Sequence, residues 1–346
     1  MMMRMVCAVG IVLRLAGGAW GQTATSPSTQ PAKANPVFAS YADLVDHFTE
    51  KQQRMARELA QEHKAALEAF VARATGDDLE QACPQLIALA MELGDHAGAI
   101  AAADRFAREF ASSESAVFVA GARVRALAGL GKLDEARKAW MALAESTDLT
   151  GWAPVFEAGM AVGTELVLVR QIAEARAIYE EIRNRTRQVP QIGAIIARQL
   201  DGLKWIGKTP PAIEGNDLAG KPVSFEEYKG RVVLLDFWAT YCSPCITEMP
   251  NLVRLHKRFH RRGFDVIGIS LDPNVSVAKS FLERNPLPWR QVADMEAAQG
   301  ANATNYGVEA IPMTFLIGRD GTIVYVGAGA EELQALLGRL LGDDSR

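Results

Sequence analysis

The sequence predicts a two-domain protein, in which an all-α domain of helical hairpins precedes an α/β domain with a central sheet. Three observations favour this class. The chain has 346 residues, too many for one ordinary domain and suited to two domains of about 150 residues. Apolar residues recur at helical spacing through residues 37–207, where Gly and Pro are scarce. From residue 208 onward, short β-branched runs alternate with helical stretches, as in α/β domains.

Composition excludes several classes of protein. Hydrophobic residues make up 49% of the chain and charged residues 23%, which suffices for packed cores and excludes global disorder. The 37 basic and 41 acidic residues give a net charge of −4, so nothing electrostatic favours a nucleic-acid or anionic-membrane partner. Cys7, Cys83, Cys242 and Cys245 are too few cysteines for a disulfide scaffold.

Residues 1–21 have the pattern of a cleavable secretory signal peptide. A basic start precedes an apolar run at residues 5–13, and small residues at 19 and 21 offer a cleavage site. The run is too short to span a bilayer, but Arg14 interrupts it and leaves an uncleaved membrane anchor or a misassigned start as alternatives. The pattern predicts a periplasmic or otherwise exported protein that loses Cys7 with the peptide.

Residues 22–36 (QTATSPSTQPAKANP) predict a flexible linker, since they lack apolar periodicity. The helical domain that follows, residues 37–207, carries a faint repeat of turn-then-helix starts. The repeated alanines lie 37 and 39 residues apart, and a larger apolar residue follows each by seven positions: Ala99 and Phe106, Ala136 and Leu143, Ala175 and Ile182. Such spacing lets neighbouring hairpins pack closely, as in helical solenoids.

The segment GLGKLDEARKAWMALAE resembles tetratricopeptide repeats. The helical domain departs from that family in its longer period, in the missing terminal prolines and in Val124, where a small residue is usual. Such a domain implies a protein partner.

The second domain, residues 208–346, is predicted to contain four strands and three helices. The strands are expected at 232–237, 264–271, 314–317 and 322–326, and the helices near 250–262, 275–285 and 331–341.

The chemistry is expected where the first of these strands ends, because Cys242 and Cys245 follow it at the start of a helix. A spacing of three lets the two sulfurs form a small disulfide. The amide groups and dipole of a helix N-terminus stabilise a thiolate, which predicts a lowered pKa and an exposed sulfur at Cys242. Cys242 is then the attacking nucleophile, and Cys245 is the buried thiol that resolves the mixed disulfide.

Other uses of the cysteine pair lack the residues they need. A c-type haem site requires His after the second cysteine, where this chain has Ile246. A zinc site requires two further ligands, and His256 with His260 is expected to lie on a solvated helix face, so no metal is predicted. The redox-active disulfide is the only expected prosthetic element.

The stretch LLDFWATYCSPC, followed by Glu248-Met249-Pro250, resembles thiol–disulfide oxidoreductases of the TlpA/ResA type, which have a thioredoxin-like fold. The segments PPAIEGNDLAGKPVSFEEYKGRVVLL and YGVEAIPMTFLIGRDGTIVYVGAG fit the same family, so the resemblance covers about residues 208–342. Two positions depart from the pattern: Tyr241 replaces a usual Trp beside the cysteines, and Gly318 replaces a common acidic residue.

The resemblance implies roles for further residues. Asp236 interrupts an apolar strand, so its carboxyl should have a raised pKa and exchange a proton with Cys245; alternatively it reaches solvent at the strand end. Ile311-Pro312 matches the cis-proline turn, where the Ile311 backbone would pair with an extended substrate segment. Tyr241 would add to that substrate-contacting surface.

Two more residues match the family without touching the substrate. Trp238 is expected to pack behind the site, and Pro250 matches the proline that kinks the active-site helix. Cys83, in an apolar helical stretch, is expected to be an inert buried thiol, with a mixed-disulfide role as the alternative.

The favoured function is reduction of protein disulfides, because the Ser-Pro between the cysteines lacks the His typical of a strong oxidant. The resemblance implies a membrane thiol transporter as electron donor and cytochrome c maturation as a pathway. Two alternatives stay open: a thiol peroxidase of the thioredoxin fold, and a helical-repeat binding protein with a subordinate redox domain.

Overall fold

The structure, a computed structural model, describes residues 41–294 and 300–342. The predicted signal peptide with its Cys7, and the linker at 22–36, lie outside the described residues. The chain divides into two units, residues 1–55 and residues 56–346. In the first unit the described part is the opening of one helix, and the contacts given below lie within the second. No helix among the described residues combines the length and apolarity needed to cross a membrane.

The part of the chain that precedes the sheet is helical, as predicted. Its helices are α1 (Tyr41–Val71), α2 (Gly76–Glu92), α3 (His96–Glu109), α4 (Ala116–Gly129), α5 (Leu133–Ser146), α6 (Ala153–Leu168), α7 (Ile172–Arg185) and α8 (Pro190–Gly202). The turns that open α3, α5 and α7 each contain one left-handed residue, at Gly94, Gly131 and Arg170. At Arg170 (φ 62°) a side chain occupies a conformation that favours glycine. Its guanidinium there donates to Asp320 Oδ2 (2.7 Å).

Small residues let these helices approach closely. Ala99, Ala136 and Ala175 are fully buried, in agreement with the expected spacing, whereas Leu143 is only half-buried. Two unpredicted glycines of α6 serve the same purpose. A Cβ on Gly159 would lie 2.6 Å from Trp140 Nε1, and a Cβ on Gly163 would lie 2.5 Å from the Tyr179 ring. The two largest fully buried side chains of this region therefore pack directly on helix backbone.

The α/β part begins after α8 and contains a five-stranded sheet. Its elements are β1 (Val232–Trp238), α9 (Ser243–Phe259), β2 (Phe264–Ser270), α10 (Val275–Arg284), β3 (Arg290–Ala293), α11 (Ala301–Tyr306), β4 (Met313–Ile317), β5 (Ile323–Val326) and α12 (Ala330–Leu341). The strand order is β3-β2-β1-β4-β5; β1, β2 and β3 are parallel, and β4 is antiparallel to both β1 and β5. The prediction missed β3 and α11, which are short and have no apolar periodicity.

Both outer strands of the sheet are covered along part of their length. On the β5 side, Gly207 N donates to Ile323 O (2.8 Å) and Ile323 N donates to Lys208 O (2.9 Å). On the β3 side, Leu218 N donates to Gln291 O (2.8 Å). The segments before β1 thus pair with both edges of the sheet.

The helical part and the sheet share one hydrophobic cluster, which includes Trp140 and Ile196 as well as Tyr325 and Leu333. Polar contacts accompany it. Tyr325 Oη lies 3.2 Å from Gln199 Oε1 on α8, and Arg339 on α12 forms an ion pair with Glu165 on α6 (2.7 Å). A second cluster, which includes Cys242 and Cys245, fills the other face of the sheet.

Candidate active site

The cysteine pair lies where the central strand meets a helix. β1 is buried at all seven positions, and four residues after its end Cys242 is the N-cap of α9. Cys242 and Cys245 form a disulfide with a Cα–Cα distance of 5.3 Å. Cys242 Sγ also accepts a hydrogen bond from Cys245 N (3.2 Å). A sulfur at this position meets the positive end of the helix dipole, which favours a thiolate after reduction.

The expectation that Cys242 alone would be exposed is wrong for this disulfide state. Cys242 is 6% exposed and Cys245 is 5% exposed, so solvent access barely distinguishes them. The hydrophobic cluster around the pair covers both residues. The asymmetry between the two sulfurs lies instead in their place on the helix, because only Cys242 is at the N-cap.

Asp236 lies inside β1 and is buried, so the alternative that it reaches solvent is wrong. Its neighbours in the sheet are Gly268 on β2 and Thr314 on β4. Burial, which penalises the charged form, raises the pKa of Asp236 to about 7, and the nearby Glu248 carboxylate adds to the increase. A carboxyl with this pKa can gain or lose a proton near neutral pH.

Glu248 is a further site residue. The sequence motif contained it, but no function was predicted for it. It lies one helical turn after Cys245 on α9, a spacing of three that puts both side chains on one helix face. Its Oε2 is buried, and no described residue donates a hydrogen bond to it. Together with its effect on Asp236, this places a second carboxylate beside the pair. The Cys-to-Glu spacing was the signal that could have revealed it.

The Ile311–Pro312 peptide bond is cis, as the resemblance implies. Met313 pairs with Phe237 in the antiparallel register, so Pro312 lies beside Trp238, the last residue of β1, next to the turn that leads to Cys242. Ile311 packs against the cluster that contains both cysteines. The structure therefore brings the cis-proline turn and the disulfide to the same end of the sheet.

Asp272 supports the turn that carries Cys242, and the sequence reasoning missed it. Its carboxylate accepts from Thr240 N (3.1 Å) and from Thr240 Oγ1 (2.6 Å). Ser270 Oγ also donates to it (2.9 Å). Asp272 is 1% exposed, so these bonds are shielded from water. The sequence did offer a signal for Asp272, namely an acidic residue just after β2. Because neighbouring parallel strands end at the same edge of a sheet, such a residue is expected near the turn that follows β1.

The remaining predicted site residues have distinct positions. Tyr241 is 65% exposed, which suits a surface that meets other proteins. Trp238 is fully buried and donates from Nε1 to Gln291 Oε1 (2.9 Å), in agreement with a packing position behind the site.

Pro250 lies within α9, which continues to Phe259. Cys83 is buried, its Sγ lies 3.3 Å from Ala102 O, and burial raises its pKa, as expected for an unreactive thiol.

One group of described residues has the spacing of a metal site. Ligand atoms of His256, His260 and Asp265 lie within 4.8 Å of one another. The expectation of a solvated face is wrong for His256, which is buried with its Nε2 3.1 Å from Asp265 Oδ1. The Arg231 guanidinium lies 3.4 Å from Asp265 Oδ2 and 3.1 Å from His260 Nδ1. A cation of the protein itself therefore already balances this carboxylate.

Comparison with known proteins finds similarity to redox enzymes. A family profile described as AhpC/TSA matches residues 206–326, which contain the cysteine pair and the cis-proline turn. The thiol-disulfide oxidoreductase ResA of Bacillus thuringiensis subsp. konkukian is 31% identical over 131 residues, 38% of this chain and 74% of that protein. ResA of Geobacillus thermodenitrificans is 34% identical over 125 residues, 36% of this chain and 70% of that protein. The thioredoxin domain of a thiol-disulfide oxidoreductase from Bacteroides vulgatus is 30% identical, with a TM-score of 0.37, and the match covers 39% of this chain and 96% of that chain.

Proposed function

Because this chain belongs to the ResA-type thiol–disulfide oxidoreductases, we propose that it reduces disulfides of exported proteins through Cys242 and Cys245. One observation carries the proposal: a disulfide at a helix N-terminus lies at the same end of the sheet as a cis-proline turn. This arrangement supports attack by one sulfur on a substrate that is held along the turn. The Ser-Pro between the cysteines favours reduction over oxidation, since it lacks the His of strong oxidants.

In the proposed reaction the Cys242 thiolate attacks one sulfur of a substrate disulfide. A mixed disulfide forms, and the other substrate sulfur leaves as a thiolate and takes up a proton. Cys245 then transfers its thiol proton to Asp236 and attacks Cys242 Sγ. The mixed disulfide breaks, the second substrate sulfur leaves and is protonated, and the Cys242–Cys245 disulfide remains. Two electrons pass from the dithiol to the substrate.

A second cycle requires a dithiol donor, and a membrane thiol transporter is the proposed source of these electrons. The signal-like residues 1–21 support work outside the cytoplasm, where such a donor is needed. Cytochrome c maturation is the proposed pathway, because its haem-binding cysteines must be reduced outside the cytoplasm. The helical part would bind the protein partner.

The reduction potential of the Cys242–Cys245 pair tests the direction of the reaction. We expect a value near that of thioredoxin, about −270 mV, from equilibration with glutathione or dithiothreitol buffers. A value near about −120 mV, as in the oxidant DsbA, would contradict reduction as the physiological direction. A Cys242→Ser variant, which cannot form the disulfide, is the blank for the measurement.

A further inference from the structure

We propose that Arg198, on the last helix of the helical part, selects substrates that carry acidic side chains beside their reactive disulfide. This inference rests on the proposed reductase function and adds a specificity determinant that lies outside the α/β part.

Helix α8 packs along the outer strand β5, and two contacts give its direction. A Cβ on Gly202 would lie 3.1 Å from Val326 Cβ, the last residue of β5. A Cβ on Gly327, one residue further along the chain, would lie 2.9 Å from Arg198 Cδ. The helix therefore runs antiparallel to β5, and its N-terminal half extends beyond the strand's C-terminal end.

That end of β5 is the active-site end of the sheet. β4 is antiparallel to both β5 and β1, so the start of β4 lies beside the ends of the other two strands. Gly327 N donates to Thr314 O (2.8 Å), and Thr314 follows the cis Pro312 by two residues. Arg198 thus lies across the loop that borders the cis-proline turn.

Buried contacts hold α8 in this register. Ile196 is fully buried, and the neighbouring Gln199 Oε1 lies 3.2 Å from Tyr325 Oη on β5. The face that contains Arg198 continues toward the N-terminus through Ile195, Ala194 and Gln191, all of which are exposed. Arg198 lies eight positions after the helix start at Pro190, a rise of about 12 Å. The first turns of α8 accordingly present an exposed face beyond the end of β5.

The charge of Arg198 is available to a ligand. The side chain is exposed, and within residues 41–294 and 300–342 it makes no hydrogen bond or ion pair. Its aliphatic stem contacts Gly327, on the loop that follows β5 beside Thr314. A substrate that pairs with the Ile311 backbone would pass this loop. A carboxylate near its cysteine would meet a guanidinium that can bind it through two hydrogen bonds.

The test uses three cyclic disulfide peptides that differ only in the residues beside the cysteines, which are acidic, neutral or basic. The rate of their reduction by the fully reduced protein is measured by stopped flow at low and high salt. We expect wild type to reduce the acidic peptide about three- to fivefold faster than the neutral one. The preference should shrink at high salt, because ions screen an exposed charge.

Variants then assign the preference to one side chain. Arg198→Glu should reverse the preference, so that the basic peptide is reduced faster than the acidic one. Arg198→Gln should abolish the preference for the acidic peptide, and Arg198→Lys should largely keep it. All three retain the stem over Gly327. Arg73→Glu, in the turn before α2, makes the same charge change at an exposed position and should behave as wild type.

Equal rates on the three peptides in wild type, or an unchanged preference in Arg198→Glu, would overturn this inference and leave the reductase proposal intact. Failure to reduce any of the peptides would overturn both.

Discussion

Burial and the nearby Glu248 carboxylate together raise the pKa of Asp236. One acid lies in the central strand and the other on the active-site helix, one turn after Cys245. Neither is well solvated, since Asp236 is buried and Glu248 Oε2 is buried without a partner among the described residues. Asp236 therefore carries a proton to a higher pH than an ordinary aspartate does.

Asp236→Asn should stabilise the oxidised protein, increasingly so as the pH rises. The folded-state pKa of about 7 exceeds the ordinary value of 3.8, so ionisation opposes folding. The stability that wild type has below pH 4 is therefore lost as the pH rises toward 7. The difference between variant and wild type should approach about 4 kcal/mol at pH 8, by urea unfolding. Asp201→Asn, at an exposed position, should show no such trend.

Asp236→Asn should also slow resolution of the mixed disulfide by about a hundredfold, because it removes the proton acceptor for Cys245. Wild type should show a rate that rises with pH through an inflection near 7. Glu248→Gln should move this inflection to lower pH, since it removes the charge that opposes ionisation of Asp236. Stopped-flow rates between pH 5 and 9 would measure both effects. A rate unchanged by Asp236→Asn across this range would exclude the proton transfer.

Asp272→Ala should lower the exchange rate and destabilise the protein by about 2 kcal/mol. The substitution leaves Thr240 N, Thr240 Oγ1 and Ser270 Oγ without their buried acceptor. Hydrogen exchange of the Thr240 amide should accelerate, which shows the loosened turn directly. Asp272→Asn keeps one oxygen acceptor and should lie between alanine and wild type. Equal amide protection in all three proteins would contradict a supporting function.

Gly159→Ala should destabilise the protein by about 1 to 3 kcal/mol, because the added methyl would lie 2.6 Å from Trp140 Nε1. The hydrogen bond from Trp140 Nε1 to Val155 O (2.8 Å) would be strained as well. Gly193→Ala, within α8, is the matched control: nothing lies within 4 Å of its added carbon, so we expect a small gain from helix propensity. Thermal unfolding of both variants measures the difference.

Cys245→Ser separates the reductase from a thiol peroxidase. It should trap mixed disulfides between Cys242 and protein substrates, because the resolving thiol is gone. Turnover with insulin, present in wild type, should fall to background in the variant. Steady consumption of peroxide by the variant, together with no reduction of insulin by wild type, would favour the peroxidase alternative instead.

Local pattern was enough to predict the cysteine pair and the first strand, because each depends on a short contiguous motif, and the family resemblance implied the cis-proline turn. Glu248 and Asp272 were missed for a different reason. Their function depends on which side chains come within reach once α9 and β2 lie beside β1, and no periodicity reports that. The contact of Arg198 with Gly327 joins residues still further apart in sequence. It could not be predicted because it exists only once α8 packs on β5.

The burial of both cysteines could not be predicted from the motif either. Spacing distinguishes an N-cap sulfur from one a turn later, but solvent access depends on the cluster of side chains that surrounds the pair. The same limit applies to His256, which lies on a helix with a polar sequence but packs beside Trp289, with their rings 5.4 Å apart.

The pairing of Gly207 and Lys208 with β5 bears on aggregation. An uncovered outer strand offers its amides and carbonyls to any other extended chain, and sheets that leave such a strand bare tend to join edge to edge. In this protein the segment that leads out of the helices occupies that position. A fragment cut at residue 209 would keep the cysteines, the cis-proline turn and Asp236, yet it would present β5 to its neighbours. The segment that leaves the helical part thus covers the β5 edge, and its loss should favour edge-to-edge association of the sheet.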